Sequence, residues 1–146
     1  GSVIPEFLKQ KKYGNFLDIG CGNGISLIYA YKKFNFKSYS GFDFENKYVE
    51  NSKKNLKSSI NKSSEISIFY QNADNFFLNE NESYFIFMFN PFNQIVMKKF
   101  LENNIDNLKK NKSVIAYCNC IELNEIKNYC NDVTLIKKYK LALIRF

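Results

Sequence analysis

A ten-residue stretch near the start of the chain, Asn15 to Gly24, constrains the fold more than any other. It reads Asn-Phe-Leu-Asp-Ile-Gly-Cys-Gly-Asn-Gly, a short apolar run followed by three alternate glycines and then a helix-like segment. The apolar run suits a buried strand. Glycine tolerates positive φ and lets backbone approach a ligand closely, while the N–H groups at a helix start attract negative charge. The stretch therefore predicts a strand, a ligand-binding turn and a helix N-terminus.

The glycine spacing separates this turn from the dinucleotide fingerprint G-x-G-x-x-G. Started at Gly20, that fingerprint requires glycine at position 25, where the chain has Ile25. The sequence instead places Asp18, Gly20, Gly22 and Gly24 at alternate positions. A nicotinamide-binding domain is therefore less favoured, and a simple tight strand-to-helix connection is the structural alternative.

The pattern Asp18-x-Gly20-x-Gly22-x-Gly24 resembles motif I of the class I S-adenosylmethionine (SAM) dependent methyltransferases. The resemblance implies that Asp18 faces the methionine amino group, directly or through water. It also implies that the backbone from Gly20 to Gly24, including Cys21, wraps the methionyl end. The charges agree with this, because an amine favours a carboxylate and a carboxylate favours backbone N–H donors.

Acids follow the next two predicted strands, residues 39–44 and 66–70. Asp43 lies nineteen positions after Gly24, where nucleotide-binding α/β folds place an acid that accepts both ribose hydroxyls. The resemblance implies that Asp43 holds the SAM ribose, with Phe44 as an apolar face for adenine. It implies that Asp74, next to Ala73, accepts from the adenine amino group. The alternatives are an acidic helix cap for Asp43 and an ordinary turn residue for Asp74.

Residues 84–89 are continuously apolar, as in a central parallel strand buried on both faces, and lead into Asn90-Pro91-Phe92. Ligands lie at the carboxyl ends of such strands, so this tripeptide should border the transferable methyl group. It resembles methyltransferase motif IV and the Asn-Pro-Phe ending of small bacterial methyltransferases. Motif IV has Asn or Asp, two prolines and an aromatic, whereas this chain has one proline and Phe92 is displaced by one position, so the amino-group specificity of the motif does not carry over. We expect Asn90 and Phe92 to position the acceptor, with Asn90 also bordering the cofactor; a proline-initiated turn is the alternative.

The remaining pattern predicts a doubly wound α/β fold with a mostly parallel, seven-stranded, Rossmann-like sheet. The resemblance implies that the last two strands form an antiparallel C-terminal hairpin at one sheet edge. Gly1 and Ser2 look like a cloning scar, and residues 3–146 are expected to form one SAM-binding domain without an N-terminal lid. The further strands are predicted at 114–118, 133–138 and 141–146, and the helices at 3–13, 25–34, 47–59, 93–110 and 121–130.

Charge, cysteine content and the lack of long apolar runs indicate which ligands, metals and surroundings to expect. The net charge is +7, yet Arg145 is the only arginine, and bidentate phosphate recognition favours arginine over lysine. Nucleic acid is therefore less favoured as the methyl acceptor than a small molecule. The chain has four cysteines and no histidine, which fits reduced thiols better than a zinc site, and we expect no metal. No apolar run reaches the roughly 20 residues of a membrane span and no secretory signal is visible, so a cytoplasmic location without a membrane partner is expected.

The sequence thus predicts a SAM-dependent methyltransferase acting on a small molecule, such as a sugar or a phosphate-bearing metabolite. Two alternatives stay open: an N-methyltransferase acting on RNA, DNA or protein, and a catalytically silent SAM-binding subunit with a partner that methylates. With no histidine, a general base would be a carboxylate, a tyrosine or bulk water.

Overall fold

A computed structural model of the chain describes residues 14–89, 92–119 and 123–146. Seven strands form one sheet in the order β3-β2-β1-β4-β5-β7-β6. Strands β1 to β5 are parallel to their neighbours, whereas β7 is antiparallel to both β5 and β6. The predicted fold class is confirmed, including the antiparallel hairpin. The strands are β1 Asn15–Ile19, β2 Ser38–Asp43, β3 Ile66–Tyr70, β4 Tyr84–Phe89, β5 Val114–Cys118, β6 Asp132–Ile136 and β7 Leu141–Arg145.

Four α-helices alternate with these strands in the described part of the chain: α1 Ile25–Lys33, α2 Asn46–Ser59, α3 Gln94–Lys110 and α4 Leu123–Lys127. The helix predicted at 3–13 lies outside the described residues. None of the four has the length and apolarity needed to cross a bilayer.

Two predicted ends near the C-terminus are wrong. Helix α4 ends at Lys127 rather than at residue 130, and β6 ends at Ile136 rather than at residue 138. Residues Lys137–Tyr139 form a 3-10 turn, and Lys140 then adopts a φ of 50° that reverses the chain into β7. Turns that need a positive φ are recognised in a sequence by glycine or asparagine, and lysine rarely takes this role. The sequence therefore contains no signal for the turn at Lys140.

The sheet buries a hydrophobic cluster on each face, because successive strand residues point to opposite sides. Phe16 of β1 belongs to the cluster that α1 and α2 cover, and its neighbour Leu17 to the cluster that α3 and α4 cover. By the same alternation Asp18 shares the face of Phe16. Asp18 is level with Gly41 on β2, so Asp43, two residues further along β2, lies on that face too. The two predicted acids therefore sit on one side of the sheet, at adjacent strand ends.

Gly41 allows α1 to pack closely over these strand ends. A Cβ added at Gly41 would lie 2.5 Å from Leu27 Cδ1 and 3.1 Å from Cys21 Cβ. Real Cβ atoms do not approach so closely, so a larger residue at Gly41 would force Leu27, which is fully buried, or α1 itself to shift. The close packing holds the start of α1 over the end of β1, at the switch point between β1 and β4 where such folds bind ligands.

Asparagines of α3 hold the segment that joins β3 to β4. This segment contains only the 3-10 turn Ala73–Asn75, and most of its other residues have irregular backbone. Asn104, which is 2% exposed, accepts from the Leu78 N–H at 2.8 Å and donates to the Phe76 carbonyl at 2.9 Å. Three further amide groups donate to backbone carbonyls of the same segment: Asn103 to Asp74, Asn107 to Asn79 and Asn111 to Glu80.

Candidate functional site

The glycine turn after β1 has the left-handed backbone that its sequence predicts. Gly20, Gly22 and Gly24 have φ angles of 74°, 54° and 82°, a region in which L side chains are strained. Gly24 is also the N-cap of α1, and a Cβ added there would lie 3.2 Å from Ser52 Cβ. The three alternate glycines are therefore required by the turn itself.

Most amides of the turn are already bonded within the protein. Gly20 and Cys21 both donate to the Phe42 carbonyl, at 2.9 and 3.0 Å, and Gly24 donates to the Cys21 carbonyl at 2.9 Å. Among the described residues, neither the Asn23 N–H nor the first-turn amides of α1 have a backbone acceptor. An anionic group at this turn would thus meet Asn23 and the start of α1, rather than every amide from Gly20 to Gly24.

Asp43 ties the glycine turn to the end of β2. Its Oδ2 accepts from the Gly22 N–H and its Oδ1 from the Glu45 N–H, both at 3.0 Å. The Asp43 side chain therefore does not cap α2, whose N-cap is Glu45 without a side-chain cap bond. A carboxylate oxygen accepts more than one hydrogen bond. Asp43 can consequently accept from a pair of hydroxyls while keeping both backbone contacts.

Asp18 is the more unusual of the two acids. It is 3% exposed, and within the part of the chain that the structure describes its carboxyl group has no hydrogen-bond donor. Burial, and to a smaller extent the charge of Asp43, raise the pKa of Asp18 to about 7. A buried carboxylate without donors is costly, and a nearby cation favours its ionised form. The strand end thus presents a carboxyl group that an ammonium group would satisfy.

A cavity of about 310 Å³ lies at the end of β2, next to Asp43 in the chain, and is lined by four of the predicted residues. Phe44, Ala73, Asp74 and Phe92 all line it, and Phe44 remains 51% exposed. The volume is at the lower end of the range for small-molecule sites. Apolar walls with one carboxylate suit a flat, partly polar ring. The structure therefore brings Phe92 next to the residues predicted for adenine.

Three further lining residues were missed from the sequence: Asn72, Asn93 and Val96. The Asn93 side chain caps α3, where its Oδ1 accepts from the Val96 N–H at 3.1 Å. The helix predicted at 93–110 already begins at Asn93, and an asparagine directly before an apolar-periodic helix is a recognisable N-cap signal that could have pointed to the cavity-lining position. No comparable local signal marks Asn72.

The predicted acceptor side of the site is only partly within the described residues. Asn90 and Pro91 lie outside them. Phe89, the last residue of β4, is 63% exposed at the carboxyl end of the sheet, next to Cys118 of β5. An exposed aromatic at this strand end provides an apolar surface beside the place where the transferable group is expected.

A family model described as a methyltransferase domain matches residues 10–142. The chain belongs to this family. The match spans every described strand except the end of β7, so it covers the glycine turn, both acids and the cavity. A comparison with curated proteins found no match.

Solved structures share the fold of this methyltransferase domain at low sequence identity. A SAM-dependent methyltransferase from Aquifex aeolicus has a TM-score of 0.71 at 17% identity, covering 97% of this chain and 87% of that one. An RNA methyltransferase from Salinibacter ruber, in complex with S-adenosyl-L-homocysteine, has a TM-score of 0.64 at 12% identity, with 99% and 89% covered. The StiE O-MT has a TM-score of 0.59 at 14% identity; the matched region covers 80% of this methyltransferase domain but only 41% of the longer StiE chain.

Among the described residues, the cysteines of the methyltransferase domain do not form a metal site, and Cys21 is not a reactive thiol. Burial first, and then the charge of Asp18, raise the pKa of Cys21 to about 12, so its thiol stays protonated and unreactive at neutral pH. In the ranges 14–89, 92–119 and 123–146, no three histidine, cysteine or acidic residues are placed to hold a metal. Cys120 lies outside these ranges.

Proposed function

We propose that this methyltransferase domain binds SAM at the carboxyl ends of β1, β2 and β4 and transfers its methyl group to an acceptor. The observation that carries the proposal is Asp18, a buried carboxyl group without a donor among the described residues, beside the glycine turn and Asp43. The methionine ammonium group would supply the missing donor. SAM supplies a sulfonium methyl group that is already electrophilic. The protein therefore has to position the acceptor in line with this methyl group, exclude water and accept one proton from the acceptor.

Each part of the proposed cofactor has a matching group in the site. Asp18 would bind the ammonium, and the Asn23 N–H with the start of α1 would bind the carboxylate. Asp43 would accept from the ribose hydroxyls through its remaining lone pairs. The adenine would enter the 310 Å³ cavity, with Phe44 as one wall and the Asp74 carboxylate for its amino group.

We further propose that the acceptor is a small molecule, such as a sugar or a phosphate-bearing metabolite, held by Asn90 and Phe92. RNA is the second candidate, favoured by the net charge of +7. The third candidate is a silent SAM-binding subunit that needs a catalytic partner.

Methyl-labelled SAM incubated with the protein and a cell extract separates these candidates. Label in the small-molecule fraction supports the first proposal, and label in RNA supports the second. Asn90→Ala should reduce the transfer while leaving SAM bound. Binding without transfer to any fraction would indicate a silent subunit, whereas the absence of both binding and transfer would contradict the proposed function.

A further inference from the structure

Two polar side chains of α2 reach back to the glycine turn. The Ser52 hydroxyl, on a residue that is 0% exposed, donates to the Gly22 carbonyl. One turn further along the helix, Asn55 Nδ2 donates to the Asn23 carbonyl at 2.9 Å. These contacts join residues 30 and 32 positions apart in sequence. Helix α2, which follows the strand that carries Asp43, thereby holds the backbone of the turn that follows Asp18.

The Ser52 contact fixes the direction of the open amide in the turn, and the Asn55 contact holds the next peptide unit, which joins Asn23 to Gly24. The Gly22 carbonyl and the Asn23 N–H belong to one peptide unit, and in a trans peptide they point in opposite directions. Ser52 draws the carbonyl towards α2, so the Asn23 N–H points away from α2. Gly22 is held on its other side as well, since its own N–H donates to Asp43 Oδ2 at 3.0 Å.

We propose that Ser52 and Asn55 are positioning residues that aim the Asn23 N–H at the amino-acid end of the bound cofactor. The proposal rests on the proposed function and adds two residues of α2 to it. Neither side chain has to touch the cofactor. Their effect should be confined to ligands that carry the amino-acid group, because the cavity for the base is lined by other residues.

The test compares S-adenosylhomocysteine with 5′-methylthioadenosine, which keeps the adenosine and the thioether but lacks the amino-acid group. Ser52→Ala should weaken binding of S-adenosylhomocysteine about tenfold, the effect of losing one hydrogen bond to a part-buried carbonyl. It should leave binding of methylthioadenosine unchanged. Ser58→Ala is the matched control, since the Ser58 hydroxyl lies on the same helix, is exposed and donates only to carbonyls of α2.

Asn55→Ala is the second variant and keeps the proposal testable if Ser52→Ala does not fold. The Asn55 contact is exposed, so its loss should weaken S-adenosylhomocysteine binding by a smaller factor, again without affecting methylthioadenosine. Equal losses for both ligands, or variants that behave like Ser58→Ala, would overturn the positioning role. If the wild-type protein bound neither ligand, the proposed function itself would fail.

Discussion

Asp18 and Asp43 are buried carboxyl groups on the same face of the sheet, but their surroundings differ. Each oxygen of Asp43 accepts from a backbone N–H, whereas the Asp18 carboxyl group has no donor in the described part of the chain. Hydrogen bonds from backbone amides stabilise a carboxylate, and burial without them favours the protonated form. Asp43 therefore stabilises the ligand-free site, while Asp18 destabilises it until a cation binds.

Asparagine at these two positions should change stability in opposite directions. The pKa of Asp18 is about 7 in the folded protein against 3.8 for an ordinary aspartate, so its contribution to stability falls as pH rises between these two values and is lost once pH has passed 7. Asp18→Asn removes this cost and should raise the melting temperature of the ligand-free protein at about pH 8. Asp43→Asn should lower it, since one backbone donor then faces an amide NH₂ and loses a bond worth about 1 kcal/mol. A lower melting temperature for both variants would disagree with this.

The affinity for S-adenosylhomocysteine should depend on pH through Asp18. The ammonium group binds the ionised carboxyl, and the pKa of Asp18 is about 7, so affinity should rise as pH increases towards and past neutrality. Well below pH 7 the dissociation constant should grow by about tenfold per pH unit. Titrations between about pH 5.5 and about pH 8 measure this. Asp18→Asn is the control and should show weak, nearly pH-independent binding; a wild-type curve equally flat would rule out the role of Asp18.

The predictable residues are those whose neighbours in sequence reveal them. Asp18 and the glycines form a local pattern, Asp43 ends a recognisable strand, and Asp74 lies in the turn after the next one, so the structure finds all three acids at or just after the expected strands. The contact of Ser52 with the turn could not be predicted, because it depends on how α2 packs over a loop 30 residues earlier.

At the scale of elements, α3 has two faces with different tasks. Its apolar residues pack against one face of the sheet. A row of asparagines, which ends with the C-cap Asn111, forms hydrogen bonds to the backbone between β3 and β4. Periodicity reveals an apolar stripe but not the partners of a polar one. The row matters for the site because Asn103 Nδ2 donates to the carbonyl of Asp74, which lines the cavity, at 2.9 Å.

Asn104 should be the most important residue of this row for stability. Its side chain makes three hydrogen bonds to backbone, and Asn104→Ala would leave the Leu78 N–H and the Phe76 carbonyl without their partner. Each buried group left unsatisfied costs about 1–3 kcal/mol, so thermal denaturation should show a large loss. Asn107→Ala removes an exposed bond to the Asn79 carbonyl and a longer one from Asn111 Nδ2, and it serves as the control, with a small loss expected. Equal losses of stability in the two variants would show that the burial of the Asn104 hydrogen bonds adds nothing to the stability of the fold.

For the whole molecule, the order of helices and strands was sufficient to predict a doubly wound, mostly parallel sheet, while its antiparallel hairpin was implied by the family resemblance. Alternating βα units with short connections permit few parallel topologies, and the observed order β3-β2-β1-β4-β5-β7-β6 is one of them. Element ends were less predictable, since the turn before β7 uses a lysine at positive φ. The topology places the ends of β1 and β2 side by side next to the switch point, and two acids far apart in sequence thereby lie on one face of the sheet at adjacent strand ends.

Calorimetric titration with S-adenosylhomocysteine tests this arrangement most directly. The wild-type protein should bind, and Asp18→Asn and Asp43→Asn should each weaken binding by at least about tenfold, because each removes hydrogen bonds from a charged group. Asp106→Asn, an exposed acid of α3, should bind as the wild type does. Wild-type affinity in both Asp18→Asn and Asp43→Asn would contradict a SAM site at these strand ends.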